Sequence, residues 1–368
     1  MTSHREPGPA ARRSHAAILL IAMAIGVAAC GSGASAGAAV STSAAASSSA
    51  LQVLEQQAFI DAPQAYRVVP AFGSLWVDQV ATYDNDAKAT WVVTRIDPKT
   101  NTVAASIPIS QTTDGMAATD TGLWVLDGDA KALREIDPAS NKLTGRSITG
   151  DFEGGDLLSA NGRLWHLGFG QMESIDPSTG AVTKLPPSTA CGADACGAVV
   201  TPDSIYLLRD GTLTKLSLDG SKVLATNTTD VAGAALALGP DGLYVGSSTA
   251  SVAIIDPATL KLKAVLQADP ATSGDGSRWQ LGSPGNGDIV AVDGGAWVRF
   301  SPQIVARVDA KAKVITLYGG PFPSEVMAGG ASDIAVADGS LWVTNVGEGS
   351  GGADGGKPGV YRLKLPTP

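Results

Sequence analysis

The chain has 368 residues, 44% hydrophobic and 17% charged, with 35 acidic against 26 basic residues and 3 cysteines. A net charge of −9 with no Lys/Arg cluster excludes binding along a phosphate backbone, which needs concentrated cationic side chains. Past Cys30 the balance is 23 basic against 34 acidic residues, and the cysteines are too few for a disulfide-built scaffold.

The first fifty residues read as an address. Arg5, Arg12 and Arg13 precede an apolar run from Ala16 to Ala29, too short to span a bilayer comfortably. A charged region followed by such a run predicts a secretory signal over residues 1–29. It ends in Val27-Ala28-Ala29-Cys30, which resembles the bacterial lipobox. The resemblance implies cleavage before Cys30 and a diacylated cysteine as the new N-terminus. The other reading is an ordinary signal whose cleavage site happens to precede a cysteine. Residues 31–50 are almost all Gly, Ser, Ala and Thr and bury no core, so the expectation for residues 30–50 is a flexible tether headed by Cys30, the lipidation site that the lipobox resemblance implies. About twenty such residues reach roughly 25 Å. The expected location is the extracytoplasmic face of the cell membrane, held there by the lipid.

Residues 51–368 form one domain with a repeat. A small residue and an aliphatic–aromatic–aliphatic core recur at Trp76, Trp124, Trp165, Tyr206, Tyr244, Trp297 and Trp342. The steps between them are 48, 41, 41, 38, 53 and 45 residues. A period of 40 to 50 residues in a strand-rich chain predicts a propeller, here an all-β fold of seven four-stranded blades. About twenty residues after most aromatics stands an aliphatic-Asp-Pro turn: Ile96-Asp97-Pro98, Ile136-Asp137-Pro138, Ile175-Asp176-Pro177 and Ile255-Asp256-Pro257. Degenerate copies are Leu218-Asp219-Gly220 and Val308-Asp309-Ala310. Pro presets the first corner of a turn and Asp accepts nearby amides, so a hairpin into an outer strand follows. Each unit then has a small-residue inner strand, an aromatic second strand, a third strand ending at Asp-Pro, and an outer fourth strand. Small residues suit the crowded axis, and large rings fill the widening gap between blades.

The last unit ends at Gly359–Leu365 as a third strand, while residues 51–60 have the character of an orphan outer strand. Pairing of the two closes the ring and leaves no open edge. Cys191 and Cys196 sit in a Gly-containing loop, most simply as a disulfide in an exported protein. A redox pair would more often be Cys-x-x-Cys at a helix start, and a metal site would need more Cys or His nearby.

Candidate binding residues come from the two loop sets that meet one face of a propeller. Entering the inner strands are Asp114, Asp156, Asp288 and Asp333. Just beyond the aromatic strands are Asp78, Asp127, His166, Arg209, Arg299 and Asn345. Arg could fork onto a ligand carboxylate or phosphate, and the bland alternative is that these groups satisfy one another. Trp279 lies outside the repeat position, in a long entrance to the sixth unit, and is a candidate to stack on a ligand. Asp84-Asn85-Asp86 offers oxygen atoms but lacks the loop length and distant Glu of an EF-hand, so no metal is expected.

The Leu-Trp-Val and Ile-Asp-Pro-x-Thr repeats over residues 51–365 resemble bacterial propellers grouped with streptogramin (virginiamycin B) lyases and with YVTN and NHL-type repeats. The lyases use a His general base, a Glu and Mg²⁺. Here only His166 remains beyond the signal, in place of the strand's Val, with no His-x-Glu or Glu-x-His pair. The late blades offer Arg299 and Asp288 instead, so the resemblance carries a scaffold and not an activity; His166, Asp288 and Arg299 are the candidates if catalysis occurs. No cofactor is expected. The expectation is a monomeric binding or scaffolding module for an envelope protein, glycan or small ligand, with a diverged lyase-like enzyme as the alternative.

Overall fold

The computed structural model describes residues 51–82, 90–110, 112–152, 154–168, 170, 172–191, 196–228, 235–247, 251–268, 289–301, 304–319, 333–345 and 358–366. These all belong to the unit Ser47–Pro368. The signal, Cys30, the tether, Asp84-Asn85-Asp86, Trp279 and Asp288 lie outside them.

Seven sheets of four antiparallel strands in blade order form the described structure, and one of them, blade 6, gains a short fifth strand in parallel. The inner strands are Ala65–Ala71, Thr112–Ala118, Asp156–Ala160, Cys196–Val200, Ala235–Gly239, Ile289–Val292 and Ile334–Ala337. Each touches the next, and the last touches the first, so the ring is closed about one axis. The repeated aromatic lies on the second strand of every blade and is buried in all seven.

These aromatics weld neighbouring blades. Trp76 of blade 1 packs on Met116, Leu123 and Val125 of blade 2. Trp342 of blade 7 packs on Leu75 and Val77 of blade 1. Three indoles also donate to the carbonyl five residues back: Trp76 to Ala71 at 3.2 Å, Trp165 to Ala160 at 3.2 Å and Trp342 to Ala337 at 3.1 Å. The ring thereby fills the seam and ties its own hairpin.

The Asp-Pro turn does more than turn. Asp176 accepts the amide of Ser178 at 2.8 Å and its hydroxyl at 2.6 Å, bonds that hold its carboxyl down at about 2. The proline carbonyl points outward to a side chain of the preceding blade. Arg95 of blade 1 donates to Pro138 of blade 2 at 2.6 Å and to Asn141 Oδ1 at 2.8 Å. Arg146 of blade 2 reaches the Pro177 carbonyl of blade 3. In blade 4, the Tyr206 hydroxyl and Lys215 reach Pro257 of blade 5 at 2.8 and 3.3 Å. Arg362 of blade 7 reaches Pro98 of blade 1 and donates to Asn101 Oδ1 at 2.9 Å. Each cation lies 5.1–5.3 Å from the ring centroid of its own blade's aromatic. Asn101 and Asn141 take φ of 57°, a left-handed corner that Asn tolerates, and this turns their amide oxygens to the latch.

Where the motif degenerates, other devices hold the seam. Between blades 3 and 4, Cys191 and Cys196 are bonded with Cα atoms 5.5 Å apart. Arg209 donates to the Ala190 carbonyl at 2.6 Å, and Ser188 donates to Gly220 at 3.1 Å.

Closure follows the expected course with one change. Gln56–Asp61 pairs antiparallel with Gly359–Lys364 as the outer strand of blade 7. Residues 51–60 are not one strand, however. Gln52–Val53 adds in parallel to Tyr318–Gly319 on the outer edge of blade 6. The break falls at Leu54, which is buried among Trp297, Tyr318 and Tyr361 while its amide donates to Gly319 at 2.9 Å. Burying that side chain outweighs continuing a single ladder, so the segment staples two blades.

Candidate functional site

A bulge in the inner strand of blade 1 builds the axial cluster. The register shifts between Ala65 and Val68, which takes intervening amides out of the ladder. Carboxylates accept them: Arg67 N–H donates to Asp78 Oδ1 at 2.7 Å, and Val68 N–H donates to Asp333 Oδ2 at 3.0 Å. The Arg67 side chain forms an ion pair with Asp156, joining blade 1 to blade 3 across the inner ring.

Asp333 is the most enclosed member. Its other carboxylate oxygen accepts the Ile334 amide at 2.7 Å. Its own amide donates to Thr344 Oγ1 at 2.6 Å, and that hydroxyl donates to the Tyr66 carbonyl at 2.7 Å. Burial pushes its carboxyl up to about 6, against the opposing pull of Arg67, the two amides and buried Arg299. The cluster therefore contains one carboxyl that exchanges a proton near neutrality, held in a fixed polar frame.

Asp78, Asp156 and Asp333 are thus brought together around Arg67, with Arg299 acting on Asp333. The other described candidates are engaged elsewhere. Asp127 accepts from Ser110, from Arg134 at 3.1 Å and from the Ala130 amide at 3.3 Å. Burial alone would raise its carboxyl, but these donors outweigh it and hold it low. His166 is buried, with Nδ1 3.2 Å from Glu173 Oε2 and Nε2 2.8 Å from the Gly154 carbonyl. Phe152 meets its ring edge-on at 5.1 Å. Arg209 serves the cystine loop, and Asn345 bonds the Tyr361 hydroxyl. Asp114 lies on the bulged inner strand of blade 2, with its side chain outside the described residues.

Sequence reasoning missed Arg67 and Glu173. Arg67 is the one cation in the inner strands, whose other charged members are the aspartates Asp114 and Asp156, and that anomaly was its signal. Glu173 sits directly across the hairpin from His166, a register that Leu164 and Ile175 already fix.

No protein-family model matches the chain, and no curated protein matches it in sequence. Solved structures do. The chain is similar to the β-propeller domain of Cps50 (Swd1) from Myceliophteria thermophila, with 13% identity and a TM-score of 0.57 over 84% of this chain and 98% of that one. It is also similar to BamB from Moraxella catarrhalis, with 11% identity and a TM-score of 0.50 over 85% of this chain and 100% of that one. The chain is a seven-bladed β-propeller. At these identities the likeness speaks for the fold alone, and the propeller's use must be argued from its own residues.

Proposed function

We propose that this propeller is a lipid-anchored, extracytoplasmic binding and scaffolding module that presents its loop-bearing face to an envelope partner. The observation that carries the reading is the axial cluster. Arg67, Asp78, Asp156 and Asp333 are tied to each other and to backbone amides, which suits a rigid platform better than a site that must rearrange around a substrate. The lyase-like alternative loses support at His166, whose two ring nitrogens both face acceptors inside the blade. The lipobox-like Val27-Ala28-Ala29-Cys30 supports the anchor.

The test uses the full chain in its own envelope. Cys30→Ser is expected to shift the protein from the membrane fraction to the soluble one. A photo-crosslinker at Lys131, beside the loop-bearing face, is expected to trap a partner that one at Lys99, on the Asp-Pro face, does not. Equal or reversed trapping overturns the choice of face, and membrane retention of the serine variant overturns the anchor.

A further inference from the structure

The seam between blades 4 and 5 carries a feature that the axial face does not use. The outer strands here are Val223–Thr228 and Leu262–Gln267. A groove of about 300 Å³ runs between them, lined by Thr226, Asn227, Thr228, Lys261 and Leu262 among others. Asn227 Nδ2 donates to the Leu260 carbonyl at 2.7 Å and fixes one wall to the other.

On the two outer strands that carry the groove, aliphatic side chains face solvent. Val223, Leu224, Leu262 and Val265 are 60%, 52%, 44% and 45% exposed. They are four of the seven large exposed hydrophobics among the described residues; the other three are scattered on blades 1 and 6 and the N-terminal segment. Scattered exposed aliphatics are ordinary, whereas a group on two adjoining strands marks a contact surface. The register of both outer strands slips where they begin, between Lys215 and Leu216 and between Ile254 and Ile255. Such bulges re-aim side chains, here at Leu224 and at Lys263.

Charge and main chain complete the surface. Lys222 precedes Val223 and Lys261 lines the groove, and neither forms an ion pair among the described residues. The turn carboxylates Asp219 and Asp256 accept from their own turns, Asp219 from Ser217 and Ser221 and Asp256 from the amides of Ala258 and Thr259, and neither forms an ion pair with a lysine among the described residues. On a chain of net charge −9, two unpaired ammonium groups beside exposed aliphatics favour an acidic occupant. Both outer strands end their sheets, so one backbone edge of each is unpaired. Blade 6 has the same kind of edge, and there Gln52–Val53 has added to it.

We propose that this groove docks an extended segment of a partner protein in which aliphatic side chains alternate with carboxylates. The aliphatics lie on Val223, Leu224 and Leu262, the carboxylates meet Lys222 and Lys261, and the backbone adds to a free blade edge. The site lies apart from the loop-bearing face and stands whether or not that face has a partner.

The probe is a set of fluorescent ten-residue peptides that alternate leucine or valine with glutamate, with lysine or with serine. They are titrated against the purified full chain in detergent. The glutamate set is expected to bind at least ten-fold more tightly than the lysine set. The double change Lys222→Glu, Lys261→Glu is expected to erase or reverse that preference, and Leu224→Asn with Leu262→Asn to weaken all binding ten-fold or more. These positions are exposed, so an unchanged melting curve separates lost binding from lost folding. Glutamate peptides that do not bind, or that bind both variants as well as the parent, overturn the proposal. So does a parent dimer that Leu224→Asn with Leu262→Asn converts to monomer, since a second copy would then occupy the groove.

Discussion

Tyr206 and Tyr244 occupy the same place in adjacent blades, and their hydroxyls meet different fates. Tyr206 donates across the seam to Pro257 at 2.8 Å, with Lys215 opposite it on the third strand reaching the same carbonyl. Tyr244 is fully buried and its hydroxyl has no hydrogen-bond partner among the described residues. Burial, with Asp241 and Asp309 nearby, pushes that phenol up to about 12, with Arg307 opposing. Both halves of the latch are gone at this seam. Ile254, not a cation, stands opposite Tyr244, and Ala310 replaces the turn proline of blade 6. The motif that reads as a local turn in sequence is therefore half of an interface, and when one half drifts the other has nothing to hold.

The seams can be ranked by breaking them. Removing residues 51–61 should have the largest effect. It strips blade 7 of its outer strand and opens the seam between blades 6 and 7, next to the unlatched one. Loss of a cooperative melt by circular dichroism is expected; a normal melt would mean the staple is dispensable.

Arg362→Ala comes next. It removes a cation over Trp342 and bonds to Pro98 and Asn101, about 2–3 kcal/mol together. Arg307→Ala should cost less, because among the described residues Arg307 bonds only carbonyls of its own blade. Equal losses in urea titrations would remove the distinction between latched and unlatched seams.

The seam between blades 7 and 1 is also held at its loop end, through Asp333 and the Val68 amide. There the hold is pH-dependent. The folded carboxyl keeps its proton up to about 6, while the unfolded chain releases it near 3.8. Stability from this group is full below about pH 4 and is lost as pH rises through 6, on the order of 2–3 kcal/mol. Asp333→Asn should flatten the stability profile between pH 4 and 7, and an unchanged slope would assign it elsewhere.

The smallest pair is the most pointed. Tyr206→Phe should destabilise by about 1 kcal/mol, since it removes the shorter of the two bonds to the Pro257 carbonyl and leaves Lys215 alone on it. Tyr244→Phe should be neutral or stabilise by about 1 kcal/mol, since it removes a buried hydroxyl that lacks a partner. Equal effects would place an acceptor at Tyr244 and make the two seams alike.

Within-blade features were legible in the sequence. The period located every second strand, Asp-Pro located the hairpins, and the missing fourth strand of the last unit called for the N-terminal segment. Between-blade features were not. Nothing in the spacing of Pro138 says that Arg95, 43 residues earlier, will bind its carbonyl. The bulge that sends Arg67 to Asp156 depends on how two non-adjacent blades meet. Leu54 divides residues 51–60 because of a pocket formed by three distant aromatics, and local alternation does not encode that.

The stapled entry of the chain also sets how the protein bears load. A pull on its N-terminal end reaches the two-residue pair Gln52–Val53 before anything else, then Leu54 in its pocket, and only afterwards the longer ladder Gln56–Asp61. Peeling the first stage frees about five residues, roughly 15 Å of slack, while blade 7 keeps its outer strand and the ring stays shut. The entry therefore yields in steps, a mechanical fuse at the N-terminal border of the propeller.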